Sequence, residues 1–89
     1  MKAEFKRLRN ISKTYDQQGE IFFTCRNYNS QPKKVREKIQ KVCEKAGGDY
    51  AQELFVYLTT DISWTQLCMD YYISESTLNR IRRRFYELW

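Results

Sequence analysis

The feature that most constrains this chain is a helix-start signal that occurs twice, as ISWTQL at residues 62–67 and ISESTL at residues 73–78. In each string a serine, Ser63 or Ser74, can accept a hydrogen bond from the free amides of a first helical turn. The isoleucine before that serine and the leucine four residues after it can clasp across the helix start as a hydrophobic staple. Gln66, three residues after Ser63, adds a capping box. The sequence therefore predicts a short helix from Trp64 to about Tyr71, a three-residue turn, and a last helix that opens at Ser74. Two helices with specified starts and so short a link have few ways to pack, and the compact solution crosses them at roughly 90–120°.

The rest of the chain reads as helix by its apolar spacing. Phe5, Leu8, Ile11 and Tyr15 recur at three and four, which predicts an amphipathic helix over residues 3–16. Residues 19–31 are less legible, since Ile21, Phe22 and Phe23 suit a strand while Tyr15, Phe22, Cys25 and Tyr28 would line one helical face; a short helix and loop is the preferred reading. Ser30 and Pro32 mark the start of a helix from Lys33, in which Val35, Ile39, Val42, Cys43 and Ala46 form the inner face and Gly47-Gly48 the stop. Asp49 with Gln52 suggests another capping box ahead of Leu54, Phe55 and Leu58. The expected fold is all-α, a small domain of four to five helices, with residues 1–31 as an N-terminal helix and connecting segment serving oligomerisation, and 32–89 as the main helical unit.

Composition narrows the function classes. Sixteen lysines and arginines against eleven acids give a formal charge of +5, which suits a polyanionic partner. The absence of histidine removes the commonest general base and metal ligand. Cys25, Cys43 and Cys68 are odd in number and far apart, which argues against a disulfide framework or a zinc site and fits a reducing, cytoplasmic setting. Cys68 suits a packing role where the last two helices meet. No apolar run approaches the ~20 residues of a membrane span. The expectation is a soluble, non-catalytic protein without a metal or other cofactor.

The distribution of charge is more informative than its total. Between Gly47 and Ile73 stand Asp49, Glu53, Asp61 and Asp70 with no lysine or arginine, and every later positive charge lies within residues 80–84. Such segregation marks a polyanion-facing surface. In the last helix Leu78, Ile81, Phe85 and Leu88 form an apolar stripe, which turns Ser76, Asn79, Arg80 and Arg83 to the opposite side. Arginine can address guanine, and asparagine adenine, through paired hydrogen bonds, so these four are the candidates for contact with base edges. Arg82 and Arg84 on the flanks, and Ser74 and Thr77 at the helix start, are candidates for phosphate contact. The helix from Lys33 adds Lys33, Lys34, Lys38 and Lys41 to that set, although a solvated lysine face has the same composition. Trp64, Tyr71, Tyr72, Phe85, Tyr86 and Trp89 fit packing better than base stacking. Tyr72 stands where a tight corner commonly carries glycine, so a differently shaped turn is expected.

The stretch SWTQLCMDYYISESTLNRIRRRFYEL resembles the C-terminal helix-turn-helix of small phage-encoded transcriptional regulators of Gram-positive bacteria, the RinA and ArpU type, and more distantly region four of bacterial sigma factors. The resemblance covers about 26 residues. It implies a helix-turn-helix at residues 63–89 and a regulator of phage or mobile-element genes that binds double-stranded DNA, with a homodimer on a two-fold site expected. Two other readings share the same residues. One is a sigma-like module that docks on RNA polymerase or another regulator; the other is the DNA-binding subunit of a recombination or excision complex.

Overall fold

The computed structural model describes residues 11–89, which form an all-α domain. Its helices are α1 (Tyr15–Arg26), α2 (Lys33–Gly47), α3 (Ala51–Thr59), α4 (Trp64–Tyr71) and α5 (Glu75–Leu88), with short 3-10 turns at Tyr28–Ser30 and Gly48–Tyr50. α2 is the central element and packs along both α3 and α5. Ile39 and Cys43 of α2, Leu54 and Leu58 of α3 and Leu78, Ile81 and Phe85 of α5 meet in one core with almost no exposure. Ile21 and Cys25 of α1 join the same core. Burial pushes the thiols of Cys25 and Cys43 up to about 12, with each also raised by a neighbouring acidic group, Cys43 for the first and Glu44 for the second. Among the described residues no helix is long and apolar enough to cross a membrane.

The start of α1 corrects the sequence reading. Residues 11–14 are not helical, and α1 begins at Tyr15 because Thr14 closes a capping box: its hydroxyl accepts from the Gln17 amide at 3.2 Å, and the Gln17 side chain accepts from the Thr14 amide at 2.8 Å. The expected helix over residues 3–16 otherwise lies outside the described residues. Residues 19–26 are helical, not strand, with Phe22 and Cys25 buried as one face; Tyr15, expected on that face, is 55 % exposed.

Two expected caps are replaced by backbone. Ser30 does not cap α2; Pro32 holds the N-cap position, and its carbonyl accepts from the amides of Val35 and Arg36, both at 3.0 Å. Asp49 does not cap α3 and forms no box with Gln52. The chain leaves α2 through Gly48, whose φ of 56° is the left-handed geometry glycine tolerates, and turns at once into a 3-10 turn, so the Ala51 amide finds the Gly48 carbonyl and leaves no role for a side-chain cap.

The caps of α4 and α5 form as the sequence predicts. Ser63 Oγ accepts from the Gln66 amide and Ser74 Oγ from the Thr77 amide, each at 3.1 Å. The Gln66 side chain, however, bonds Asp70 at 2.7 Å instead of completing a box. Ile73, Leu67 and Leu78 are buried and Ile62 packs on the core, so both staples engage it. Leu67 is the one buried residue of α4, which is therefore anchored chiefly at that point and at its two ends.

The corner between α4 and α5 is left-handed despite lacking glycine: Tyr72 has φ 54° and ψ 38° and is 94 % exposed. A side chain in this region crowds the following carbonyl, at a cost of roughly 1–2 kcal/mol. Tyr72→Gly relieves that crowding but adds freedom to the unfolded chain. We expect a net gain of about 0.5–1 kcal/mol, measured by denaturant unfolding; a decrease would show that the tyrosine ring makes contacts that outweigh the backbone strain.

Candidate nucleic-acid interface

α5 settles which way its arginines point. Leu78, Ile81, Phe85 and Tyr86 are buried with at most 1 % exposure, and this ridge turns Ser76, Asn79, Arg80, Arg83 and Arg84 to the outer side of the helix. The sequence-based stripe errs at its end: Leu88 is 46 % exposed, and Tyr86 takes the inward position. Tyr86 is one residue after Phe85, so the stripe rotates by a residue in the last turn, and burial drives the Tyr86 hydroxyl well above its usual range.

The outward residues line one open groove of about 500 Å³, formed by Ser76, Asn79, Arg80, Arg83, Arg84 and Glu87 with Ile11 and Leu88. Arg80 is exposed and has no hydrogen bond or ion pair among the described residues, so its full set of guanidinium donors faces solvent. Asn79 is half-buried, and its Oδ1 accepts from Arg82 Nη2 at 3.0 Å. That bond leaves the Asn79 amide nitrogen as the outward donor, a geometry suited to an acceptor such as a guanine edge or phosphate rather than to paired contact with adenine.

Arg82 departs from its expected flank position. Its guanidinium lies 4.7 Å from the Trp64 ring centroid and donates to Tyr57 Oη at 3.3 Å, while the Tyr57 and Trp64 rings meet edge-on with centroids 5.6 Å apart. This cluster links α3, α4 and α5, and it accounts for Trp64 as a packing aromatic. Arg82→Ala is expected to lower stability by ~1 kcal/mol by removing the cation–π and hydrogen-bond interactions. Thermal melts of Arg82→Ala and Arg80→Ala check this, because only the former should shift.

Arg84 reaches α2, where its Nη2 donates to the Lys45 carbonyl at 3.4 Å. Lys34, Lys38, Lys41 and Lys45 recur at four, three and four along α2, all exposed, and Lys38 Nζ lies 4.1 Å from the Trp89 ring centroid beside the end of α5. The α5 arginines and the α2 lysines thus border one another across the α2–α5 packing seam. Lys33 stands apart from this row and faces Glu37 at 3.9 Å, with both side chains mostly exposed. At the start of α5, Ser74 and Thr77 are joined hydroxyl to hydroxyl at 2.8 Å, and Ser76 lies 3.4 Å from Ser74, so the cap already engages the hydroxyls expected at phosphates.

The acidic residues lie elsewhere and are partly engaged. Asp61 pairs with Arg26, whose guanidinium also sits over the Phe22 ring, and Asp70 accepts from Gln66. Cys68, at the α4–α5 seam, is half-buried; burial and then Glu75 raise its thiol above the ordinary value.

One interaction has no signature in the sequence. Ser12 donates to Glu87 Oε1 twice, from its backbone amide and its hydroxyl, each at 2.7 Å. These bonds, the hydroxyl first, hold the Glu87 carboxyl below its usual range, with lesser help from Lys13 and Arg83. A lowered carboxyl stabilises the fold above its ordinary titration range, and that contribution disappears as pH falls through the lowered value. Residues 75 positions apart carry no periodic or motif signal that would pair them.

No protein-family model matches the chain, and no curated protein or solved structure does.

Proposed function

We propose that this protein is a sequence-specific, double-stranded DNA-binding transcriptional regulator in which α4 and α5 act as a helix-turn-helix. The observation that carries this reading is the orientation of α5: its leucine–isoleucine–phenylalanine ridge is sealed in the core while Ser76, Asn79, Arg80 and Arg83 share the open outer groove. In a helix-turn-helix the N-terminal half of the second helix enters the major groove, and these residues occupy that half and the turn after it. Arg80 and Arg83 are assigned to base edges, Asn79 and Ser76 to supporting contacts beside them. Arg84 with Lys34, Lys38, Lys41 and Lys45 is assigned to phosphates, in keeping with the border between α5 and α2. The chemistry is recognition only, and a single module of this size favours a homodimer on a two-fold site.

The direct test is binding to random-sequence duplex followed by selection from a randomised pool. Weak binding to random duplex at low salt is expected, with log affinity falling linearly against log salt by about 0.9 per phosphate contacted. Selection should return a shared sequence. A salt-independent interaction, or no binding at low salt, removes the proposal.

A second reading, docking on RNA polymerase or another regulator, is favoured by the exposure of Met69 at 66 % and Tyr72 at 94 % near the α4–α5 corner. It requires no affinity for random duplex, so the same assay separates the two.

A further inference from the structure

The strap that ends at Thr14 crosses α5 beside the groove, and its placement gives the residues before it a direction. Ile11 lines the groove together with Arg80 and Arg83, and the two Ser12 bonds to Glu87 pin the chain there, so whatever precedes Ile11 departs from the edge of the proposed DNA-facing surface. Residues 1–10 read MKAEFKRLRN, with Lys2, Lys6, Arg7 and Arg9 against Glu4. The groove they leave from is itself cationic, and its carboxylate, Glu87, already holds Ser12. Two groups of like charge brought to one edge repel one another unless an anion lies between them. Ten residues can reach at most roughly 33–36 Å, which is enough to follow a duplex from one groove into the next.

We infer that residues 1–10 form a second contact to the same nucleic-acid backbone that α5 addresses, a basic arm that the Ser12–Glu87 clasp aims at the flanking phosphates. This rests on the DNA-binding reading of α5 and extends it with a binding element outside the helices. Arms of this kind reach the groove adjacent to a recognition helix in other DNA-binding folds. The clasp shortens the path that the arm must search, since the arm starts at the duplex surface whenever α5 is seated.

The test uses the full chain and a variant with Lys2→Gln, Lys6→Gln, Arg7→Gln and Arg9→Gln combined, both titrated with a random duplex of about 30 base pairs over a series of salt concentrations. Every phosphate that the variant no longer meets flattens the slope of log affinity against log salt by about 0.9, so four arm cations set an upper limit of about 3.6, and a flattening of about 2 or more is expected. A second variant, Ser12→Pro, removes both donors of the clasp while keeping every charge, and is expected to weaken binding several-fold with an unchanged slope. An unaltered slope and affinity in the neutralised variant, with Arg80 still required for binding, overturns the arm while leaving the reading of α5 intact. An unaltered slope accompanied by a change in sedimentation assigns these residues to a chain–chain interface and also overturns it. Failure of the intact chain to bind any duplex removes both.

Discussion

Leu78→Ala should lower the unfolding free energy by ~2–5 kcal/mol, the range for a leucine truncated inside a packed core. Leu78 has no exposed surface, and it meets Leu67 of α4, the residues of α2 and the Ile81 and Phe85 ridge within one core. The cavity cannot close easily, because both helices of the α4–α5 pair are held at their starts by serine caps. For a domain of this size each kcal/mol corresponds to roughly 4–8 °C in Tm, so a drop of about 10 °C or more is expected. Leu88→Ala is the matched control. Its side chain is 46 % exposed, and a surface truncation ordinarily stays within about ±0.5 kcal/mol. Near-equal effects of the two substitutions would mean that α5 is rotated from the orientation described, and every assignment in its outer groove would go with it.

The same orientation explains what is legible in the sequence. Ile62, Leu67, Ile73 and Leu78 announce α4 and α5 because a staple is a local rule: residues within five positions decide it, and no tertiary partner is needed. Tyr72 shows where a local rule is overruled. The sequence points to a corner of unusual shape, yet the caps and staples on either side force the ordinary left-handed turn on a residue that resists it. The Asp49 and Ser30 caps do not form for the converse reason, since nearby backbone carbonyls reach the free amides first. Thr14-x-x-Gln17 is as readable as the other boxes, but the apolar spacing of Phe5, Leu8, Ile11 and Tyr15 suggests a helix running through it.

The candidate site is legible by residue type and only partly by role. Arg80 and Arg83 face outward as helical geometry requires. Arg82 differs from its chain neighbours by about 100° around the helix and lands against Trp64 and Tyr57, a pairing set by how α3 and α4 pack. Asn79 is then drawn into Arg82's hydrogen bond, which alters the set of bases it can address. Neither effect is local in sequence. The Ser12–Glu87 clasp is the extreme case, because the ends of the described chain meet only after the whole domain has closed.

Arg80→Ala and Arg83→Ala are expected to weaken binding to the selected duplex by about 1–3 kcal/mol each, from several-fold to roughly 200-fold. The discriminating quantity is the ratio of specific to random binding. An arginine that reads a base should lose most of its effect on random sequence, whereas an arginine at a phosphate should weaken all sequences alike and flatten the salt slope by about 1. Arg80 should show the larger fall in specificity, since its guanidinium is exposed and lies a turn nearer the start of α5 than Arg83. Arg83 also neighbours Glu87, whose lowered carboxyl it helps to hold, so part of its effect should appear as a weaker clasp and a change in affinity without a change in preferred sequence. Neither substitution touches the core, so melting curves should stay close to those of the parent protein. Quantitative binding of both variants to the selected and random duplexes, at two salt concentrations, separates these contributions. Uniform losses across sequences for both would assign the outer face of α5 to phosphates, and base recognition would have to lie elsewhere on the chain.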